Sequence, residues 1–176
     1  MASGVRVFIA TSRDGFIAGP DDDLSWLPDG HAGEDYGYEA FMAGVGAILM
    51  GRRTYDVVEG FGTGWPYGDT PVLVATTRPL DPIEPTVRAV SGSADEMLVE
   101  ARAAAGEGDV YVDGGRLIQQ LLGAGLIDEF VVTVIPVDLG EGIPLLAGDE
   151  QWALLRLEES REFPSGVEQQ RYASVD

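Results

Sequence analysis

Cysteine is absent from the chain, which excludes disulfides, a thiol nucleophile and any thiolate metal site. Lysine is absent as well, since all 11 basic residues are arginine. That removes Schiff-base chemistry and the lysine of a P-loop. His31 is the only histidine, so a histidine-rich metal site is excluded and no metal is expected. A Ser-His-Asp triad would have to use His31, and no G-x-S-x-G elbow occurs. No run of about 18 apolar residues and no basic, apolar signal-like start is present, so the expectation is a cytoplasmic protein with no membrane span. Positive charge is scarce: 11 arginines face 30 acidic residues, a net charge of −19. Such a surface repels phosphate backbones and anionic membranes, so neither nucleic acid nor a membrane is an expected partner.

What is present fits one domain over residues 1–176 with a full core, at 45% hydrophobic content. The stretch from Asp109 to Gln120 organises the rest. Val110-Tyr111-Val112 reads as a short buried strand, Asp113-Gly114-Gly115 as a tight turn, and Leu117, Ile118, Leu121 and Leu122 as one apolar helix face. A helix start exposes unpaired N–H groups and carries roughly half a positive charge. Two glycines let phosphates approach that backbone, and Arg116 adds a cation.

The same pattern recurs along the chain. Strands are expected at 5–11, 47–50, 71–75, 87–90 and 127–135. Helices are expected from Glu34 to Ala43, from Thr54 to Glu59, and through Ala105 behind a Ser93 or Asp95 cap. An antiparallel hairpin is expected around Pro164-Ser165-Gly166. Strand–helix alternation implies an α/β fold with a mostly parallel central sheet, helices on both faces and an antiparallel C-terminal edge. In such sheets, ligands sit outside the carboxyl ends of the strands. Three of those ends carry Arg52/Arg53, Thr76/Thr77/Arg78 and Gly114/Gly115/Arg116. The gathering of arginines there, in so acidic a chain, points to an anionic ligand.

These junctions, in this order, resemble the dihydrofolate reductase-like fold, and within it the reductase domain of riboflavin biosynthesis (the RibD C-terminal domain) and its small relatives. The matching pieces are FIATSRDGFIAG at 8–19, Trp26, ILMGRRTYD at 48–56, VYVDGGRLIQQLL at 110–122 and LIDEFVVTVIP at 126–136. The resemblance implies NADPH as cofactor and hydride transfer to a C=N or C=O carbon of a small heterocyclic or carbonyl substrate, pteridine- or riboflavin-precursor-like. It implies that Gly51, Arg52, Arg53 and Thr54 hold pyrophosphate and the 2′-phosphate, flanked by Thr76, Thr77 and Arg78. Gly114, Gly115 and Arg116, with Leu117 and Ile118, would bind pyrophosphate through backbone N–H groups. Ala10, Ile17 and Ala18 would border the nicotinamide. Trp26, Tyr38, Phe41 and Asp113 are the candidate substrate-pocket residues. The chain departs from the family at the proton donor, where Asp29, Glu34 and Asp35 compete and none keeps the spacing. The alternative expectation is a non-catalytic NADPH-binding module, which needs the arginines and no acid. A homodimer is a further expectation, with apolar segments at 127–135 and 152–157 as candidate patches.

Overall fold

The computed structural model describes residues 3–28 and 34–175. Asp29 and His31 lie outside the described residues. In chain order the strands are β1 (Val5–Ser12), β2 (Phe16–Ala18), β3 (Val45–Gly51), β4 (Val72–Ala75), β5 (Val87–Val90), β6 (Asp109–Asp113), β7 (Glu129–Ile135), β8 (Ile143–Pro144), β9 (Leu155–Glu162) and β10 (Glu168–Ser174). The helices are α1 (Tyr38–Met42), α2 (Arg52–Glu59), α3 (Ala94–Ala105), α4 (Gly115–Gly123) and α5 (Asp149–Trp152).

Eight strands form one sheet in the order β5-β4-β3-β6-β1-β7-β10-β9. Pairing is parallel from β5 to β7 and antiparallel from β7 through β10 to β9. The parallel strands are runs of valine, isoleucine and leucine because both of their faces are covered. Val5, Leu49, Val112 and Phe130 pack against Met97 and Leu98 of α3 and Leu121 of α4. On the opposite face Ile48, Met50, Val74 and Tyr111 pack against Phe41 of α1 and Tyr55 of α2. Ser93 caps α3 through a reciprocal box with Glu96, as its hydroxyl and that spacing predict.

Four local expectations change. The helix expected from Glu34 shortens to Tyr38–Met42, because Tyr36 (φ 52°) and Gly37 (φ 83°) adopt left-handed backbone that a helix cannot include. Arg52 and Arg53 are not beside α2 but form its first turn. The 127–135 segment, a candidate dimer patch, is internal to the sheet: β7 lies between β1 and β10, and Ile127, Phe130 and Val132 are core. Residues 143–144, where no strand is expected, pair with β2 in a small second sheet. Proline is tolerated there because the ladder has only two strands.

Candidate active site

The junctions β3–α2 and β6–α4 meet. Gly114 (φ 111°) packs so closely on the first that a Cβ at this position would lie 2.9 Å from Thr54 Oγ1 and 3.4 Å from Gly51 Cα. A Cβ on Gly115 would lie 2.8 Å from Ile17 Cδ1, so β2 roofs the start of α4. Two helix N-termini are therefore neighbours at the sheet rim. Neither has a side-chain cap, and neither carries an acidic residue in its first turn. Instead the first turns hold Arg52, Arg53 and Arg116, each opposed by the positive end of its own helix. A bound anion offsets both charges at once.

Arg52 donates from Nε to Asp56 Oδ1 (2.9 Å), and from Nη1 to Thr76 Oγ1 (3.3 Å) and Pro79 O (3.1 Å). Arg78 reaches the other Asp56 oxygen at 3.2 Å. The hydrogen bond from Arg52 is the main reason the Asp56 carboxyl lies below its ordinary pKa. Arg53 binds both oxygens of Asp22, at 2.8 and 3.0 Å. Arg116 is exposed and has no partner among the described residues. Beside this cluster runs a groove of about 600 Å³ lined by Thr76, Thr77, Arg78, Leu80, Arg88 and Ser91. Leu117 and Ile118 send their side chains into the core. The Ile118 N–H is spent on Gly114 O (2.9 Å). That leaves the amides of Gly115, Arg116 and Leu117 as the helix-start donors, so Ile118 does not offer the free amide expected of it.

Across β6 the chemistry changes from basic to acidic. Asp113 ends β6 opposite Met50. Desolvation pushes its pKa up to about 6, against the opposing pull of hydrogen bonds from the Gly114 N–H and Tyr111. The Tyr111 hydroxyl also reaches Phe8 O (3.1 Å). Burial, and then the Asp113 charge, raise the phenols of Tyr38, Tyr67 and Tyr111. A carboxyl and three phenols thus share one corner, in which Tyr111 is buried and Tyr38 opens to solvent. Phe8 lies against Tyr38 (5.6 Å between ring centroids) and Phe41 (5.0 Å), and Phe41 against Tyr111 (5.2 Å). Beyond Phe8 opens a cavity of about 270 Å³ lined by Arg6, Phe8, Tyr36, Phe41, Val131 and Gln169.

Other candidates occupy different places. Asp35 accepts the N–H groups of Gly37 and Glu39, both at 2.9 Å, and is exposed. The bond from Glu39 is the main cause of its lowered pKa, which is the wrong direction for an acid near neutrality. Glu34 accepts from the Tyr36 N–H (3.1 Å) and is also exposed. Both residues secure the turn into α1. Ala10 and Trp26 pack around Ile135, Phe163 and Val167 in a cluster distinct from that of Phe41 and Tyr111. Ala18 is buried in the ladder with Ile143. Asp113 is among the pocket candidates of the sequence, whereas its neighbours Tyr67 and Tyr111 are not. Tyr111 carries the period-2 signal of the Asp109–Asp113 strand, which sends it to the Asp113 face, whereas Tyr67 comes from a loop with no such signal.

The RibD C-terminal domain model matches residues 4–168. The chain belongs to the RibD C-terminal domain family. It is 32% identical over 162 residues to the uncharacterized protein YwjB of Bacillus subtilis, covering 92% of this chain and 93% of YwjB. Among solved structures, a Shewanella sp. PV-4 protein provisionally assigned to riboflavin biosynthesis superposes with a TM-score of 0.84 at 33% identity, covering 98% of this chain and 99% of that one. Dihydrofolate reductase from Enterococcus faecalis, solved with NADP(H), has a TM-score of 0.70 at 15% identity over 100% of this chain and 99% of that one. The fold of this RibD C-terminal domain protein is therefore dihydrofolate reductase-like.

Proposed function

We propose that the protein is an NADPH-dependent reductase of a small heterocyclic or carbonyl substrate, with Asp113 as the proton donor. The observation that carries this reading is the contact of Gly114 with Gly51 and Thr54, which makes one anion site of two helix starts. The donors present fit NADPH. Planar guanidinium forks suit a 2′-phosphate, and bare helix amides suit a pyrophosphate. Arg52, Arg53 and Arg78 would hold the 2′-phosphate end, and Gly115, Arg116 and Leu117 the pyrophosphate. Bound NADPH would supply the hydride. Asp113 would give its proton to the substrate nitrogen or oxygen next to the carbon being reduced, and solvent would return a proton to its carboxylate. Phe8, Tyr38 and Phe41 exclude water and orient the ring. Among structural neighbours, the Thermotoga maritima protein is named for 5-amino-6-(5-phosphoribosylamino)uracil reductase activity, which makes aminouracils the first substrates to try.

Calorimetric titration with NADPH and NADH in parallel tests the cofactor site. NADPH is expected to bind at least ten-fold tighter, and Arg52→Ala or Arg78→Ala to erase the difference. Equal, weak binding of both would remove the assignment. If NADPH binds but is not oxidised with any pterin or aminouracil, the binding-module reading replaces the enzyme.

A further inference from the structure

We propose that the substrate is a flat nitrogen heterocycle that carries no phosphate and is neutral or cationic, seated between Asp113 and the cavity beyond Phe8. This rests on the reductase reading above and narrows it to a substrate class. Phe8, Tyr36 and Phe41 line the cavity, and flat rings gain most from aromatic walls.

Hydrogen bonding gives the second argument. Gln169 lines the cavity, and its Nε2 is spent on Tyr36 O (2.8 Å) and Thr133 Oγ1 (2.9 Å). Its Oε1 has no partner among the described residues. An amide oxygen left free in the cavity wall accepts a ring N–H or an exocyclic amine.

Charge gives the third. Arg6 is the one cation lining the cavity. It is held by Glu129 (2.6 Å) and Asp109 (3.3 Å) and lies 4.7 Å over the Phe41 ring. Arg171 stands 3.8 Å from Glu129 but is shared with Glu159 at 3.2 Å. Three carboxylates against two guanidiniums leave that end negative. A phosphate brings roughly two further negative charges and would meet no uncommitted cation in the cavity. On the same sheet face, Arg161 lies over Phe163 (4.6 Å), two strands beyond Thr133 in the register Thr133–Gln169–Arg161. It is the cation that a phosphate tail would seek.

The test uses the full chain without cofactor at pH 7.5. The probes are 5-amino-6-(5-phosphoribosylamino)uracil, the same compound lacking its phosphate, and 7,8-dihydropterin, each titrated by calorimetry. The dephosphorylated compound is expected to bind at least about ten-fold tighter than its phosphate, as uncompensated charge in a partly desolvated cavity requires. Gln169→Leu is expected to weaken it several-fold, and Arg161→Ala to leave it unchanged. Equal or tighter binding of the phosphorylated form, above all if Arg161→Ala removes it, overturns the proposal. Binding untouched by Gln169→Leu overturns the seat, and no binding of any probe at millimolar concentration overturns the class. NADPH, titrated separately, keeps the two readings apart. Its failure to bind sinks the reductase alone, and its binding beside a phosphate preference sinks the substrate class alone.

Discussion

Asp113 carries an acid's pKa near 6, and two measurements follow from it. Its folded value lies above the ordinary 3.8, so the folded state holds this proton where the unfolded chain would lose it. The resulting penalty on stability is absent below about pH 4, grows through the window up to about pH 6, and is complete above it. Asp113→Asn is therefore expected to stabilise the fold at pH 8, by at most about 3 kcal/mol, seen as a higher melting temperature, and to leave the melting temperature unchanged at pH 3.5. In steady-state assays the wild-type rate is expected to fall as pH rises through about 6, and Asp113→Asn to be flat and about 100-fold slower. A wild-type profile with no inflection between pH 5 and 7 would remove Asp113 as the acid. Asp35 makes the contrasting case. Its lowered pKa means a stabilising contribution that is present above the ordinary value and lost as pH falls below it. Asp35→Ala is expected to lower the melting temperature at pH 7 while sparing turnover. The acidic position before the Gly114-Gly115 turn was legible in the sequence, but its acid strength was not. That property is set by burial of the carboxyl, which exists only once the chain has folded over it.

Helix starts separate structure from function in this protein. The first turn of α3 is closed by the Ser93–Glu96 box, and Ser93→Ala is expected to cost about 1 kcal/mol in denaturant unfolding with no change in ligand affinity. The start of α4 is open, and Gly114→Ala forces a side chain into left-handed backbone against Thr54. NADPH affinity is expected to collapse in that variant even at temperatures where it remains folded. Gly46 provides the control, since a Cβ there would overlap the Ala105 carbonyl far along α3. Gly46→Ala should lose stability and keep the affinity of whatever fraction folds. Capping and periodicity made α3 and α4 readable, because Ser93, Met97, Leu98 and Ala101 recur at helical spacing. Helix α1 was overestimated because no propensity rule foresees left-handed backbone at Tyr36. The pairing of β2 with β8 joins segments more than 120 residues apart, which no local pattern encodes.

At the scale of the whole molecule, the net charge of −19 is a repulsion spread over the entire surface. Raising salt from 20 mM to 1 M is expected to increase the melting temperature, because screening relieves like-charge repulsion. At the proposed NADPH site the same change is expected to weaken binding, because Arg53, Arg78 and Arg116 are exposed. If salt lowered both quantities, the local ion pairs and not the overall excess would dominate stability. The parallel sheet was legible because its valine-rich runs alternate with amphipathic helices. The internal position of β7 was not, since a long apolar run reads alike in a buried strand and in a sticky edge. The true boundaries of the sheet are β5, four residues long with Arg88 and Ala89 exposed, and β9, where Arg156, Glu158, Glu159, Arg161 and Glu162 stand in solvent. A stray strand seeking to extend either ladder would have to strip water from those ions and press its own backbone between them. Concentrated solutions should for that reason stay clear of fibrils, and neutralising β9 at Glu158, Glu159 and Glu162 is the change that would let them gel.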